Sequence, residues 1–595
     1  MPTTTFNVAN ATEMDADIAL IDATGADAAS NTAYTFNITA NVTLSSQLYA
    51  INLDAGSSLT INGNGNTLNG AGKYNGLFVY AGTVTVDDLA IDDAKAIGGN
   101  GAGGGAGLGG GLFVASGAAA TLQNVSFVDD EAVGGAGSSL DFGVYGGGGL
   151  DGGNGASGGG GIGLTATGGD THRNGSPGIV IGAASGGEGT EGFGGADGGG
   201  GGGGGGGVFA YGGGGGVGGG GGSSVAGAVY GGFGGGGGLF SIGGFGGGGG
   251  AGHGGNGGFG GGGGSDGGGG FGGGGGYGIG SGGGGGLGAG GDIFVQQGGS
   301  LTYTGGNASG GSVAGGAGFE GGSDGSAFGS GMFLQGNEQV TLAAFATEPL
   351  TIGDVIADQT GSGGTGNNAG AASLLIAGPG TITLSAANTY TGGTSLTGGT
   401  FDLANAKAAG SGAISFAAGD TATLRIGLGD TPANTIAGFV HGDTIDLRGI
   451  GTETTAALSS SDVLTLSGGS SSVSLQLDPS ASYAADAFTL TSDAAGGTDV
   501  GVVPTTFTIN SVTDLETDIA LIDATGAYAA ANAAYTFNVA ANAALTLTSQ
   551  LDAINLDAGS SLTINGNGNT LNGAGKYNGL FVYAGTVTVD DLAID

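Results

Sequence analysis

Short apolar–polar–apolar triplets set the rhythm of this chain. Leu59-Thr60-Ile61, Leu77-Phe78-Val79, Val84-Thr85-Val86 and Leu89-Ala90-Ile91 are separated by Gly, Asn and Asp. A period of two places successive side chains on opposite faces of a strand, and the residues between the triplets are those that tolerate the left-handed backbone of tight corners. The beat continues through Leu112-Phe113-Val114, Thr121-Leu122 and Val125-Ser126-Phe127. It returns after a long glycine segment as Ile293-Phe294-Val295, Leu301-Thr302-Tyr303, Met332-Phe333-Leu334 and Val340-Thr341-Leu342. This spacing predicts an all-β fold, a right-handed parallel β-helix (solenoid) of on the order of twenty rungs. Because the phase resumes beyond the glycines, they read as an insertion between rungs and not as a linker. Asn62, Asn64, Asn66 and Asn69, interleaved with Gly63, Gly65 and Gly70, suit either an amide ladder stacked between rungs or a pair of Asn-Gly turns.

The largest repeat is literal: residues 51–92 recur without change as 554–595, and the likeness reaches back to Phe6 against Phe507. This predicts one unit of a tandem array and the opening of the next. The expected organisation is a parallel β-helix over 1–132, a glycine-rich insertion over 133–291, the helix resumed over 292–372, a distinct repeat and closing segment over 373–503, and the second copy over 504–595.

Glycine accounts for 159 of the 595 residues, and it is concentrated in the insertion. Polyglycine gives up about 1–2 kcal/mol per residue of backbone entropy on ordering with almost no side-chain burial to offset it, which argues for a flexible loop. The competing expectation is a polyglycine-II-like layer, with about three residues per turn, in which the absence of Cβ lets neighbouring segments hydrogen-bond closely. Phe233, Phe240, Phe245, Phe259, Phe271 and Tyr277 punctuate the glycine runs as if marking turns. Exposed on such a slab they would form a contact surface for another subunit, a glycan or a solid surface.

Charge narrows the partners. Seven Lys and Arg stand against 47 Asp and Glu, a formal net charge of -40, so neutralising phosphates is not available and nucleic-acid binding is excluded as an expectation. No apolar run approaches the roughly 20 residues of a membrane span, and no membrane insertion is expected. The start, Met1-Pro2-Thr3-Thr4-Thr5-Phe6, lacks the basic and apolar regions of a secretory signal. With no Cys, neither disulfides nor thiol chemistry operate.

The acidic residues Asp87, Asp88, Asp92, Asp93, Asp129 and Asp130 fall at comparable rung positions. As a stacked stripe they could hold calcium, the one cofactor expected at all; as corner residues facing water they need no ligand. The seven basic residues are too scattered to support an acidic cluster in charge-stabilising catalysis, and no phosphate-binding glycine motif is present. An enzyme is therefore not expected.

From Ser373 the character changes, and a resemblance covers residues 388–416. Tyr390-Thr391-Gly392-Gly393-Thr394 and the Gly410-Ser411-Gly412 turn before Ile414-Ser415-Phe416 resemble the autotransporter-associated β-strand repeat of bacterial secreted passenger domains. Residues 436–448 and 488–500 are similar to the closing segment of large bacterial β-strand-repeat adhesins. The resemblance implies a protein outside the bacterial cell or on its surface. The expected function is structural: a repeat unit of a fibre or filament, partnered with itself through solenoid ends and lateral glycine-rich surfaces. The alternative is an adhesin that binds a glycan or a host or abiotic surface, with a polysaccharide-active enzyme or an ice-binding protein behind it.

Overall fold

The alternating triplets pair with their successors in register. In the computed structural model Leu77, Phe78 and Val79 lie opposite Leu112, Phe113 and Val114. These lie opposite Ile293, Phe294 and Val295, and those opposite Met332, Phe333 and Leu334, all parallel. The structure describes residues 4–138, 145–156, 158–169, 175–181, 220, 230–252, 255–278, 282–468, 472–483, 486–493 and 495–595. It is mostly β, with 39% strand and 5% helix. Among the described residues no helix is long and apolar enough to cross a membrane.

The chain forms two compact units, Met1–Thr394 with Lys407–Gly412, and Ser395–Ala406 with Ala413–Asp595. In the first, several parallel ladders advance through the same stretches of sequence. One runs Thr5–Val8, Ala33–Ile38, Ser58–Asn69, Thr83–Asp92, Ala119–Val128 and Ser300–Ser309. A second runs from Ile51–Asn52 to Ile356–Asp358 through the Phe-centred triplets. Two narrower ones link Lys95–Ile97, Glu131–Val133 and Ser312–Ala314, and Gly107–Leu108, Gly288–Ala289 and Ala327–Phe328. Pairing thus passes directly from Ala119–Val128 to Ser300–Ser309, across the glycine segment.

Inward positions are filled by apolar side chains, Val84, Leu122, Leu301 and Leu342 among them, each no more than 1% exposed. Corners use the left-handed region where needed: Asn64, Asp88 and Asn124 take φ of 53°, 52° and 48° and share a corner, which Gly305 fills in the next strand at 65°. Both readings of the Asn cluster have a counterpart. Asn62 donates to Asn37 Oδ1 at 2.9 Å across strands, while Asn64 occupies a turn and donates to the Ile38 carbonyl at 3.1 Å.

In the second unit Thr400–Leu403, Thr423–Ile426 and Thr444–Leu447 are parallel, after which the direction reverses. Thr498–Pro504 runs antiparallel to both Thr444–Leu447 and Asp486–Ser492, and Thr455–Leu458, Val463–Ser467 and Val473–Gln476 form an antiparallel meander. The second copy then restores parallel pairing through Thr506–Ser511, Ala534–Thr546, Ser561–Asn572 and Thr586–Ile594. This copy and residues 413–503 belong to one unit.

Within this mostly β fold stand two helices that the strand pattern does not predict, α1 (Ala11–Ile21) and α2 (Val512–Ile522), at equivalent places in the two copies. Each has an N-cap whose side chain accepts from the third residue on, Asn10 from Glu13 and Ser511 from Asp514, and each acid bonds back to the backbone before the cap. This is a capping box in substance. Met14, Ile18 and Ile21, at helical spacing, are buried in α1. In the second copy Leu515, Ile519 and Ile522 pack with Ile509, Tyr535 and Phe537 of the first strands, so the helix covers the apolar side chains at the start of the ladder.

Candidate functional site

Glycines bring segments far apart in sequence to within backbone hydrogen-bonding distance, and consecutive residues bond in different directions. Gly103 N donates to Gly249 O at 2.9 Å, Gly104 N to Gly284 O at 2.9 Å, and Gly105 N to Gly99 O at 2.8 Å. Gly284, Gly285 and Gly286 likewise donate to Gly263, Ser323 and Gly135. Rows of such bonds cross the segment: Gly105 reaches Gly99, Gly135 reaches Gly105, Gly286 reaches Gly135, Gly316 reaches Gly286 and Gly325 reaches Gly316, each at 2.8–2.9 Å. A strand in a sheet bonds to two neighbours in one plane, whereas these segments bond to three. Residue choice follows from the spacing. A Cβ placed on Gly99, Gly104, Gly135, Gly286 or Gly325 would meet a neighbouring carbonyl oxygen well inside 3.0 Å, so only glycine lets the segments approach. Much of the glycine segment, 182–219 and 221–229 included, and with it His172 and His253, lies outside the described residues.

The aromatic residues key this lattice to the strands. Phe233, Phe245, Phe259 and Phe271 each precede a left-handed glycine, Gly234, Gly246, Gly260 and Gly272, with φ of 72–74°. At three of these turns the glycine N–H donates to the next Phe carbonyl at 2.7–2.9 Å. Their rings stack in sequence with centroids 5.2, 5.0 and 5.3 Å apart. A parallel column, Phe78, Phe113, Phe294 and Phe333, stacks at 4.3, 5.2 and 5.6 Å along the triplet ladder. The columns interlock edge to face, Phe113 with Phe233 at 6.3 Å, Phe245 with Phe294 at 6.2 Å and Phe259 with Phe294 at 6.1 Å. Offset and T-shaped pairs at these separations add about 0.5–1.5 kcal/mol each beyond burial.

Of the six expected contact residues, Phe271 is buried and Phe233, Phe245 and Phe259 are half-buried where they meet the Phe column of the strands. Phe240 packs against Leu239, Ala251 and Ala102 at the opposite turns, and Tyr277, 64% exposed, is the one that faces solvent freely. The reason is steric: in a glycine layer the Phe rings are the main apolar matter, and the nearest apolar surface is the matching Phe column of the strands.

No protein-family model, no curated protein and no solved structure matches the chain. Its chemistry is to be read from the geometry.

The acidic stripe is dispersed among different partners. Asp88 accepts from Asn124 Nδ2 at 3.0 Å and Asp92 from Asn69 Nδ2 at 2.7 Å. Asp88, Asp93 and Asp129 occupy left-handed corners; Asp93 and Asp129 are exposed and Asp87 is half-buried. Asp130 alone is fully buried, taking the Ala94 N–H at 2.7 Å. Among the described residues no group of three or more His, Cys, Asp or Glu is arranged to hold a metal ion. Sequence spacing did not single out Asp292, which is fully buried. Burial pushes the Asp130 and Asp292 carboxyls well above the usual range, and their mutual repulsion adds to the shift in Asp292.

A cleft of about 840 Å³ lies between α1 and the edge of the glycine segment, lined by Asp15, Gln47, Tyr49, Lys73, Tyr74, Thr165 and Ser176 among others. Lys73 Nζ sits 4.9 Å over the Tyr74 ring, and the Tyr74 hydroxyl donates to the Ser45 carbonyl at 2.7 Å. In the second copy Asp552 stands where the first has Tyr49.

Proposed function

We propose that the chain is a structural element of an extracellular bacterial fibre. In this reading a right-handed β-solenoid supplies a shaft, and a polyglycine-II-like slab inserted between two of its rungs supplies lateral bulk and stiffness. The observation that carries it is the three-way hydrogen bonding of successive glycines, keyed to the strands by interlocked phenylalanine columns. Such a lattice has no side chains with which to do chemistry; its product is shape. The acidic surface keeps it soluble, and the ladders of parallel strands give length.

Two features refine how units would associate. Helices α1 and α2 cover the start of each ladder, so end contacts fall to the other end. The glycine slab offers backbone, the exposed Tyr277 and the half-buried edges of Phe233, Phe245 and Phe259 to its surroundings. Negative-stain microscopy of the purified chain across a concentration series tests the reading: uniform fibres or stiff rods are expected, and flexible or globular particles at every concentration overturn it.

The second reading, an adhesin, is favoured by the cleft beside Tyr49, Lys73 and Tyr74. Its two tyrosine side chains and the amide, hydroxyl and carboxylate groups that line it suit the faces and hydroxyls of a sugar. Binding to a glycan array that Tyr49→Ala and Tyr74→Ala abolish would support it; an array with no signal would remove it.

A further inference from the structure

Two stretches of chain separated by the whole glycine insertion meet at a row of carboxyl groups. Asp130 lies just before Glu131–Val133, where the chain leaves for the insertion, and Asp292 just before Ile293–Val295, where it returns. Leu112 N donates to the Asp292 carbonyl at 2.7 Å and Ser312 N to the Asp130 carbonyl at 2.9 Å, so backbone bonds already lace the two feet together. Asp354, just before Ile356–Asp358, continues the row. Its Oδ2 accepts from Gly311 N at 2.9 Å, and its carboxyl reaches that of Asp292.

Asp130 and Asp292 are fully buried, and Asp354 is half-buried. One oxygen of Asp130 takes the Ala94 N–H; its other oxygen, and both oxygens of Asp292, meet no donor. The packing around them is close, since a Cβ on Gly111 would come within 2.7 Å of Asp130 Oδ2 and one on Gly311 within 2.6 Å of Asp292 Oδ1. A buried carboxylate without a donor is costly, and two carboxylates that face each other cannot both ionise cheaply. One proton resolves both difficulties, because it turns Asp292 from an unpaired acceptor into a donor to Asp354.

We propose that Asp292 and Asp354 share a proton, and that this carboxyl pair is a pH-sensitive clasp that fastens the returning foot of the glycine insertion to the strand ladders. The charged groups that act on the row from the surrounding segments are Asp92, Asp93 and Asp129, beside Asp130 itself. Lys95, on the strand next to Glu131–Val133, is paired with Glu131. Tyr303 is buried against the row, but its hydroxyl is directed to the Val125 carbonyl at 2.7 Å. Burial, reinforced by these like charges, therefore holds the Asp292 proton well above the usual carboxylate range. The folded state keeps a proton that the unfolded chain releases, so the clasp contributes fully below about pH 4 and is lost as pH rises through the raised value. Its opening would place three carboxylates together at the root of the insertion. The clasp would operate in a single chain, assembled or not.

Hydrogen exchange of the full chain, followed by mass spectrometry in peptides covering 127–135 and 288–296 and corrected for the intrinsic rate, reads the state of the two feet. Protection in both peptides should fall roughly tenfold or more as the pH is raised from about 4 to about 9. In Asp292→Asn the amide donates to Asp354 at every pH, and protection should stay flat. Asp354→Asn, at the half-buried position, exchanges donor and acceptor and should be flat as well; it carries the test if Asp292→Asn does not fold. Protection that is independent of pH in the parent, or a pH slope that persists in Asp354→Asn, would overturn the proposal. So would recovery of protection at high pH on addition of calcium chloride, which would make the row a cation site and not a proton clasp.

Discussion

Alanine in place of Gly286 distinguishes an ordered glycine lattice from a loop by whether it destabilises the protein. Gly286 is among the glycines without a left-handed φ, so Ala is intrinsically allowed there. In a loop that stays flexible in the folded state the replacement would restrict folded and unfolded chains alike and be near neutral; at an ordered site with room for the methyl group it would stabilise by about 0.4–1 kcal/mol. In the structure, however, a Cβ at Gly286 would fall on the carbonyl oxygen of Gly105, and Gly105 O is itself the acceptor for Gly135 N at 2.8 Å. Accommodating the methyl group requires two segments to separate and stretches a row of bonds, which by comparison with overpacked cores costs about 1–3 kcal/mol. The two cases differ by about 1–3 kcal/mol, above measurement error. Gly275 is the internal control: its Cβ would come no nearer than 3.9 Å to another atom, so Gly275→Ala should be neutral or slightly stabilising. Guanidinium denaturation of the three proteins, with hydrogen exchange followed in peptides covering 282–295 because two compact units need not unfold together, gives the comparison. A Gly286→Ala protein as stable as the parent, with unchanged exchange, would refute the lattice.

Two other outcomes follow from the packing and the buried acids. Phe294→Ala removes a fully buried ring that touches both Phe columns and should cost about 3–5 kcal/mol, read as a drop in denaturation midpoint; a change under ~1 kcal/mol would mean that the seam contributes little beyond ordinary contacts. Asp22 is buried, with Oδ1 taking the Asn52 N–H at 2.7 Å, and burial pushes its carboxyl up to about 7. The folded state then holds a proton that the unfolded chain releases, so this contribution is greatest below about pH 4 and is lost as pH rises toward 7. At about 1.4 kcal/mol per pH unit the total is on the order of 4 kcal/mol. Asp22→Asn keeps the acceptor and should flatten that part of the stability–pH curve; an unchanged slope between pH 4 and 7 would show that Asp22 does not titrate there.

How much of this could be read in advance depended on the range of the interaction. The triplets announced their pairing because alternation is local and the partner of Leu77-Phe78-Val79 looks like it. The helices carry local start signals, Asn10-x-x-Glu13 and Ser511-x-x-Asp514, but at 11 residues each they hold only a few buried positions at helical spacing, too few to stand out from the strand alternation on either side. The inward turn of Phe233, Phe245, Phe259 and Phe271 had no local signature at all: a glycine run has no second face with which to define a first. The burial of Asp292 beside Asp130 depends on chain ends separated by the whole glycine insertion, and nothing in either local sequence anticipates it.

The glycine lattice also constrains how such a gene can change. Any single-base change that alters the meaning of a glycine codon yields either a stop or a residue that carries a Cβ, and across most of the described lattice a Cβ has nowhere to go. Point mutation is therefore closed to it. Length remains open, because successive crossings are nearly equal, with twelve residues from Phe233 to Phe245 and twelve from Phe259 to Phe271. Duplicating one such stretch adds a crossing and a ring to the Phe column together. A protein built this way diversifies by counting, and related chains should differ in how many crossings they possess far more than in what those crossings contain.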